Sequence, residues 1–229
     1  MRLLQRGILA VCLVSAPFLF APVVSAGVLK ATGFAVGSET VSLVSPSPFV
    51  SQDVSAGAFN LNPPVGILAY CIDLFQTLSF GTPYSDYTTT SLAADAQITA
   101  ARKGEIAQLF HGFYAASLTS STKTAAFQLA LWEILYETGP VLNVDGGDLA
   151  NRGVNYAKNP NTPAGVISQA DTWLADLGSF SPDLGGLTTY RSTEHQDQIS
   201  YQPVPEPSAW ALIFVGLTTL AFMRPRQTS

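Results

Sequence analysis

Residues 125–138 constrain this chain most. They read Ala-Ala-Phe-Gln-Leu-Ala-Leu-Trp-Glu-Ile-Leu-Tyr-Glu-Thr and run into Gly139-Pro140. Almost every residue is a good helix former, Lys123 and Thr124 lead in, and the Gly-Pro pair ends the run. Phe127, Leu131, Ile134 and Leu135 recur at helical spacing and make a stripe that faces a core. Gln128 sits beside that stripe, one turn before Trp132. A buried amide without partners costs about 1–3 kcal/mol, so the fold must give Gln128 either partners or a use.

The two ends read as targeting segments. Residues 1–26 have the pattern of a secretory signal peptide: Arg2 and Arg6, then an apolar stretch without charge, then Val24-Ser25-Ala26 as a small-residue cleavage site before Gly27. Cys12 leaves with this segment, and Val11 stands where a lipoprotein box needs a small residue. At the other end, Val204-Pro205-Glu206-Pro207-Ser208 precedes an uncharged run, residues 209–223, and then Arg224-Pro225-Arg226. The run is short for a span, which needs roughly 20 residues. With Ser208 and the arginine stems it just crosses, and the arginines stay in the cytoplasm under the positive-inside rule.

This C-terminus resembles the PEP-CTERM sorting signal of Gram-negative bacteria that make exopolysaccharide. The resemblance implies recognition at Pro205, Glu206 and Pro207 by an exosortase-type membrane enzyme, with Arg224 and Arg226 as the basic tail of a membrane-spanning sorting helix. It implies transient residence in the inner membrane and a final place at the cell surface or in the extracellular matrix. An ordinary C-terminal anchor is the alternative.

The middle of the chain, residues 27–202, is long enough for one domain with a proper core. It holds seven Lys and Arg against fifteen Asp and Glu, a formal charge of −8. That balance argues against nucleic acid and against docking on anionic lipid. Cys71 is its single cysteine, which rules out an intrachain disulfide. In an oxidising compartment an odd cysteine flags a reactive or intermolecular role, although a lone cysteine also serves as a small buried hydrophobe.

Cys71 lies in Ala-Tyr-Cys-Ile-Asp-Leu-Phe, residues 69–75. Tyr70-Cys71-Ile72 and, downstream, Phe127-Gln128-Leu129-Ala130-Leu131-Trp132 together resemble the paired signature of bacterial surface thioester domains. Asp73 departs from it, since an apolar residue is more usual there. The resemblance covers two short motifs. It implies that Cys71 and Gln128 form an internal thioester, and that an extracellular nucleophile, a protein amine or a glycan hydroxyl, then attacks it. Exopolysaccharide stands as an open further partner. Tyr70 and Trp132 are candidates for shielding the site, with Tyr136 beside them. Asp73, Glu133 and His111 are candidate acid–base groups, and for each of these aromatic and ionisable residues the structural reading, core aromatic or surface charge, is favoured over the catalytic one. No cofactor is implied.

The periodicities place strands first, then helices, then strands. Residues 28–36 and 39–44 read as a hairpin around Gly37-Ser38, and 45–62 as loop or irregular strand. Residues 67–80 read as one buried strand or two short ones, and 84–90 as a polar loop. Helical spacing covers 91–114, with Gly104 as a potential break. It returns at 164–177, where Val166, Ile167, Ala170, Trp173, Leu174 and Leu177 share a face. Residues 187–201 read as the last strand or two. The expectation is an α+β domain, a mostly antiparallel β-sheet or sandwich with a helical insertion.

Other chemistry has little support. Residues 143–148 hint at calcium-loop spacing but lack the closing glutamate, so a turn is the better reading. His111 and His195 are too few for a histidine-based zinc site. There is no Gly-x-Ser-x-Gly elbow and no phosphate loop. Three readings follow: a non-enzymatic covalent adhesin, a non-covalent structural or binding protein of the matrix, and, less favoured, a matrix hydrolase using carboxylates.

Overall fold

The computed structural model describes residues 25–43, 52–62, 66–137, 139, 141–144 and 162–203. The N-terminal segment before Ser25, the Pro205-Glu206-Pro207 motif, the apolar run and Arg224 and Arg226 lie outside the described residues. Among the described residues no helix is long and apolar enough to cross a membrane.

The fold is α+β, with an antiparallel sheet closed into a barrel. Six strands go round in the order β1 (Ser25–Phe34), β4 (Phe59–Leu61), β5 (Ile67–Cys71), β8 (Gln198–Tyr201), β7 (Leu187–Arg191) and β6 (Pro83–Ser91). β1 closes the barrel because it is long and bent. Its N-terminal part pairs with β6 and its C-terminal part with β4, with register shifts between Gly27 and Leu29 and between Ala31 and Phe34. Such irregularities curl a strand enough to serve two edges. The expected α+β, mostly antiparallel architecture is present, with the sheet closed into a barrel instead of packed as a sandwich.

The expected hairpin around Gly37-Ser38 does not form. Both edges of β1 are already occupied, so β2 (Glu39–Leu43) turns away and pairs with β3 (Gln52–Ala56) in a separate two-stranded sheet. Residues 84–90, read as a polar loop, belong to β6. Of that strand's residues only Tyr87 is buried, so the alternation that marks a half-buried strand is missing.

All three long helices fall between β6 and β7, as the expected insertion. They are α1 (Ala100–Ser117), α2 (Ser121–Tyr136) and α3 (Ala164–Ala175). Thr99 and Ser120 cap α1 and α2 by accepting from the backbone N–H groups of Arg102 and Lys123. Gly104 does not split α1. Gly112 instead allows close approach, since a Cβ there would sit 2.6 Å from the Phe180 ring.

α2 is the central element. Every residue from Thr124 to Ile134 is buried, so it is covered on all sides rather than on one stripe. It packs against α1, α3, β2 and β3. Tyr70, Phe110 and Phe127 join it to the barrel: the Tyr70 and Phe127 rings lie 4.4 Å apart and the Phe110 and Phe127 rings 4.9 Å. The Tyr70 hydroxyl bonds to the Ser117 hydroxyl on α1 at 2.7 Å and to that of Thr124 on α2 at 3.0 Å. Thr124 in turn accepts from the Ala58 N–H at 2.9 Å.

Candidate functional site around Cys71 and Gln128

β5 ends at Cys71, where its neighbour β4 has already stopped. The β4–β5 ladder reaches only Phe59 opposite Ala69, leaving the main-chain groups of Cys71 without a strand partner on that side. Gln128 fills the gap from α2. Its Oε1 accepts from the Cys71 N–H at 2.9 Å, and its Nε2 donates to the Cys71 carbonyl at 2.8 Å. The carboxamide thus takes the place of one more residue of β4. Both side chains are 1 % exposed, so neither hydrogen bond competes with water.

The sulfur sits under the segment that follows β5. Cys71 Sγ lies 2.8 Å from the Asp73 carbonyl, to which it donates, and the Asp73 N–H lies 3.3 Å from the sulfur. Burial pushes the thiol far above its ordinary value; the Asp73 backbone and the nearby Trp132 indole pull it down less. The Trp132 N–H is close enough to favour a charged sulfur, yet it makes no hydrogen bond of ordinary geometry and is buried without a partner. An orphaned donor of this kind costs about 1–3 kcal/mol.

A cavity of about 70 Å³ adjoins the pair, walled by Leu74, Phe59 and Trp132 and reached by Gln76 and Gln196. Residues 72–77 form a strap over it. The Tyr136 hydroxyl accepts from the Leu74 N–H at 3.1 Å and donates to the Ile72 carbonyl. Gln196 holds the strap from the other side: its Nε2 donates to the Asp73 carbonyl and its N–H to that of Thr77. Tyr136 and Gln196 reach this strap from 62 and 123 residues away in the chain, and no local pattern announces them as partners.

The structure brings Cys71, Gln128 and Trp132 together. Tyr70 points its hydroxyl the other way, into the contact between α1 and α2. Asp73 contributes its backbone to the sulfur, while its carboxylate accepts from the Phe75 N–H at 2.7 Å. Burial first, and then Asp197, raise that carboxyl. Glu133 is fully buried and accepts from the Asn143 N–H at 3.1 Å, which ties the loop after α2 to the helix. His111 bonds the Asp183 carbonyl and the Tyr201 hydroxyl. Glu133 and His111 therefore have structural partners, and neither lines the cavity beside Cys71.

No cluster of three or more His, Cys, Asp or Glu suited to a metal ion occurs among the described residues. Comparison with protein-family models, with curated proteins and with solved structures returns no match.

Proposed function

We propose that this is an exported cell-surface or exopolysaccharide-matrix protein that attaches covalently to a partner through a Cys71–Gln128 thioester. The observation that carries the reading is the clamping of the Gln128 carboxamide on the backbone of the residue whose thiol would attack it. The Cys71 N–H already polarises the carbonyl that becomes an oxyanion, as a preorganised donor should. The amide and the thiol sit on a helix and a strand, which hold them better than loops would.

The step balances without a cofactor. The S–H bond of Cys71 and the C–N bond of Gln128 break; an S–C bond and an N–H bond form, and ammonia leaves. Burial disfavours a free thiolate here, so the thiol proton passes to the departing nitrogen as the sulfur adds. The cavity beside the pair gives the ammonia somewhere to go. A partner amine or hydroxyl then takes the acyl group, giving an amide or ester at residue 128 and returning the Cys71 thiol. The protein acts once and is not an enzyme in the turnover sense. The tail implies processing by an exosortase-type membrane enzyme.

A second reading is favoured by the same hydrogen bonds. Gln128 is fully satisfied by Cys71 and needs no chemistry to justify its burial. The protein is then a non-covalent component of the matrix in which Cys71 is a packed thiol.

Intact mass of the full-length protein, with and without methylamine, separates the two. A mass one ammonia below the calculated value, converted by methylamine uptake at residue 128, supports the thioester. A full mass with Cys71 alkylated only on unfolding supports the packed thiol. Cys71→Ala should fold and form no adduct; an adduct persisting in that variant would overturn the covalent reading.

A further inference from the structure

Two orphaned polar atoms belong to residues that border the cavity beside Cys71 and Gln128, and they are of opposite kind. Trp132 Nε1 is a donor without a partner, and Gln76 Oε1 is an acceptor without one; both atoms are buried. Trp132 as a whole is only 3 % exposed. A fold that keeps such groups unpaired gives up stability at each of them, which calls for a use.

Gln76 stands between two cavities. On its inner side is the one of about 70 Å³ that adjoins the pair, with apolar walls from Leu43, Val54, Phe59 and Leu74. On its outer side is a polar one of about 270 Å³, bordered by Asp73, Gln97, Arg191 and Asp197. Gln76 borders both. Its Nε2 donates at 3.0 Å to the carbonyl of Thr193, an exposed residue. The two branches of a planar amide point apart, so with Nε2 turned outward Oε1 turns inward, in keeping with its burial.

The inner cavity exceeds the roughly 10–15 Å³ that one water-sized group needs, so the head of an attacking molecule fits beside Gln128. A nucleophile that carries an N–H or O–H needs an acceptor to hold that hydrogen while its lone pair faces the acyl carbon. The sulfur that leaves needs a donor. Gln76 and Trp132 supply one of each, fixed in advance on the strap and on α2.

We infer that Gln76 orients the nucleophile that attacks the acyl group at residue 128: its Oε1 accepts from the nucleophile's N–H or O–H, while the Trp132 N–H donates to the departing sulfur. The inference rests on the thioester reading. For an amine, the nitrogen lone pair forms the C–N bond, the C–S bond breaks, and one N–H proton ends on the sulfur as the Cys71 thiol. For an alcohol the same exchange forms a C–O bond.

The test is the rate of methylamine uptake by the full-length protein, followed by intact mass, in the parent, Gln76→Met and Gln76→Glu. Methionine keeps the length of the side chain and removes both the acceptor and the bond to Thr193. Glutamate keeps the acceptor and loses only the bond to Thr193. Gln76→Met should take up methylamine at least roughly tenfold more slowly than the parent, and Gln76→Glu at least as fast as the parent. Uptake by Gln76→Met at the parent rate, or by Gln76→Glu as slowly as by Gln76→Met, would overturn the inference. Where Gln76→Met forms no thioester, Gln76→Glu decides: a rate reduced roughly tenfold or more overturns the inference and an undiminished one upholds it. The mass before methylamine separates the two failures. A parent that never loses ammonia overturns the thioester reading and this one with it, whereas equal rates in proteins that have all lost ammonia overturn the role of Gln76 alone.

Discussion

The Gln128 carboxamide bonds both main-chain groups of Cys71, accepting at 2.9 Å and donating at 2.8 Å. It does for the end of β5 what another residue of β4 would have done. Replacing Gln128 by Ala removes both partners at a buried site and leaves a void. The loss should be about 3 kcal/mol, read as a lower urea midpoint with unchanged slope. A loss below about 0.5 kcal/mol would mean that these two bonds do not hold β5 to α2.

Trp132→Phe separates packing from chemistry. The indole N–H is buried and unpartnered, so deleting it relieves about 1–3 kcal/mol, which the void left by the smaller ring offsets, and the net change in stability should stay under about 1 kcal/mol. If that N–H supports the oxyanion or the sulfur during ammonia loss, the ammonia-loss form should appear at least roughly a hundredfold more slowly. Equal rates in the two proteins would assign Trp132 to packing alone.

Arg191 lies between Asp95 and Asp197, with side chains 14 %, 2 % and 10 % exposed. Arg191→Met strands two carboxylates and should cost roughly 3–5 kcal/mol at pH 7. Burial alone would raise Asp95, but Arg191 holds it below the ordinary carboxylate value. Its stabilisation is complete above that ordinary value and is lost as pH falls through the lower folded one. Urea melts should therefore show the difference between parent and variant shrinking below about pH 4.

Asp73 works in the opposite direction. Burial, then Asp197, raise it, so its contribution is favourable only where it is protonated and is lost as pH rises through its folded value. Asp73→Asn should melt at a higher temperature than the parent at pH 7 and at the same temperature at pH 3. A lower melting temperature at pH 7 would mean that the carboxylate is used by a contact that Asn cannot make.

Gly186 begins the β7 side of the β7–β8 pair with φ +76, and a Cβ there would lie 2.1 Å from the Gln202 carbonyl oxygen. That oxygen is backbone and cannot swing aside. Gly186→Ala should cost about 3 kcal/mol, measurable by thermal melting, whereas Gly178, with open space around it, should accept Ala with little change.

The sequence by itself determined the elements whose signal is local. The apolar run around Gln128 is α2, the face from Val166 to Leu177 lies in α3 and the short 3-10 turn that follows, and 187–201 holds the last two strands. It also marked Gln128, because an amide within an apolar helix is costly without partners, and Cys71, because a single cysteine in an exported domain is an odd one. Tertiary structure decided the rest. β6 shows no alternation because only Tyr87 turns inward. β1 could not reveal that both its edges were taken, since its partners, β4 and β6, lie elsewhere in the chain. The strap and the polar cavity depend on Tyr136, Arg191, Gln196 and Asp197 arriving from far along the chain. Helical periodicity is written within a few residues, but ring closure of a sheet and the meeting of side chains over a strap are set by pairings from tens to over a hundred residues apart, which no local spacing records.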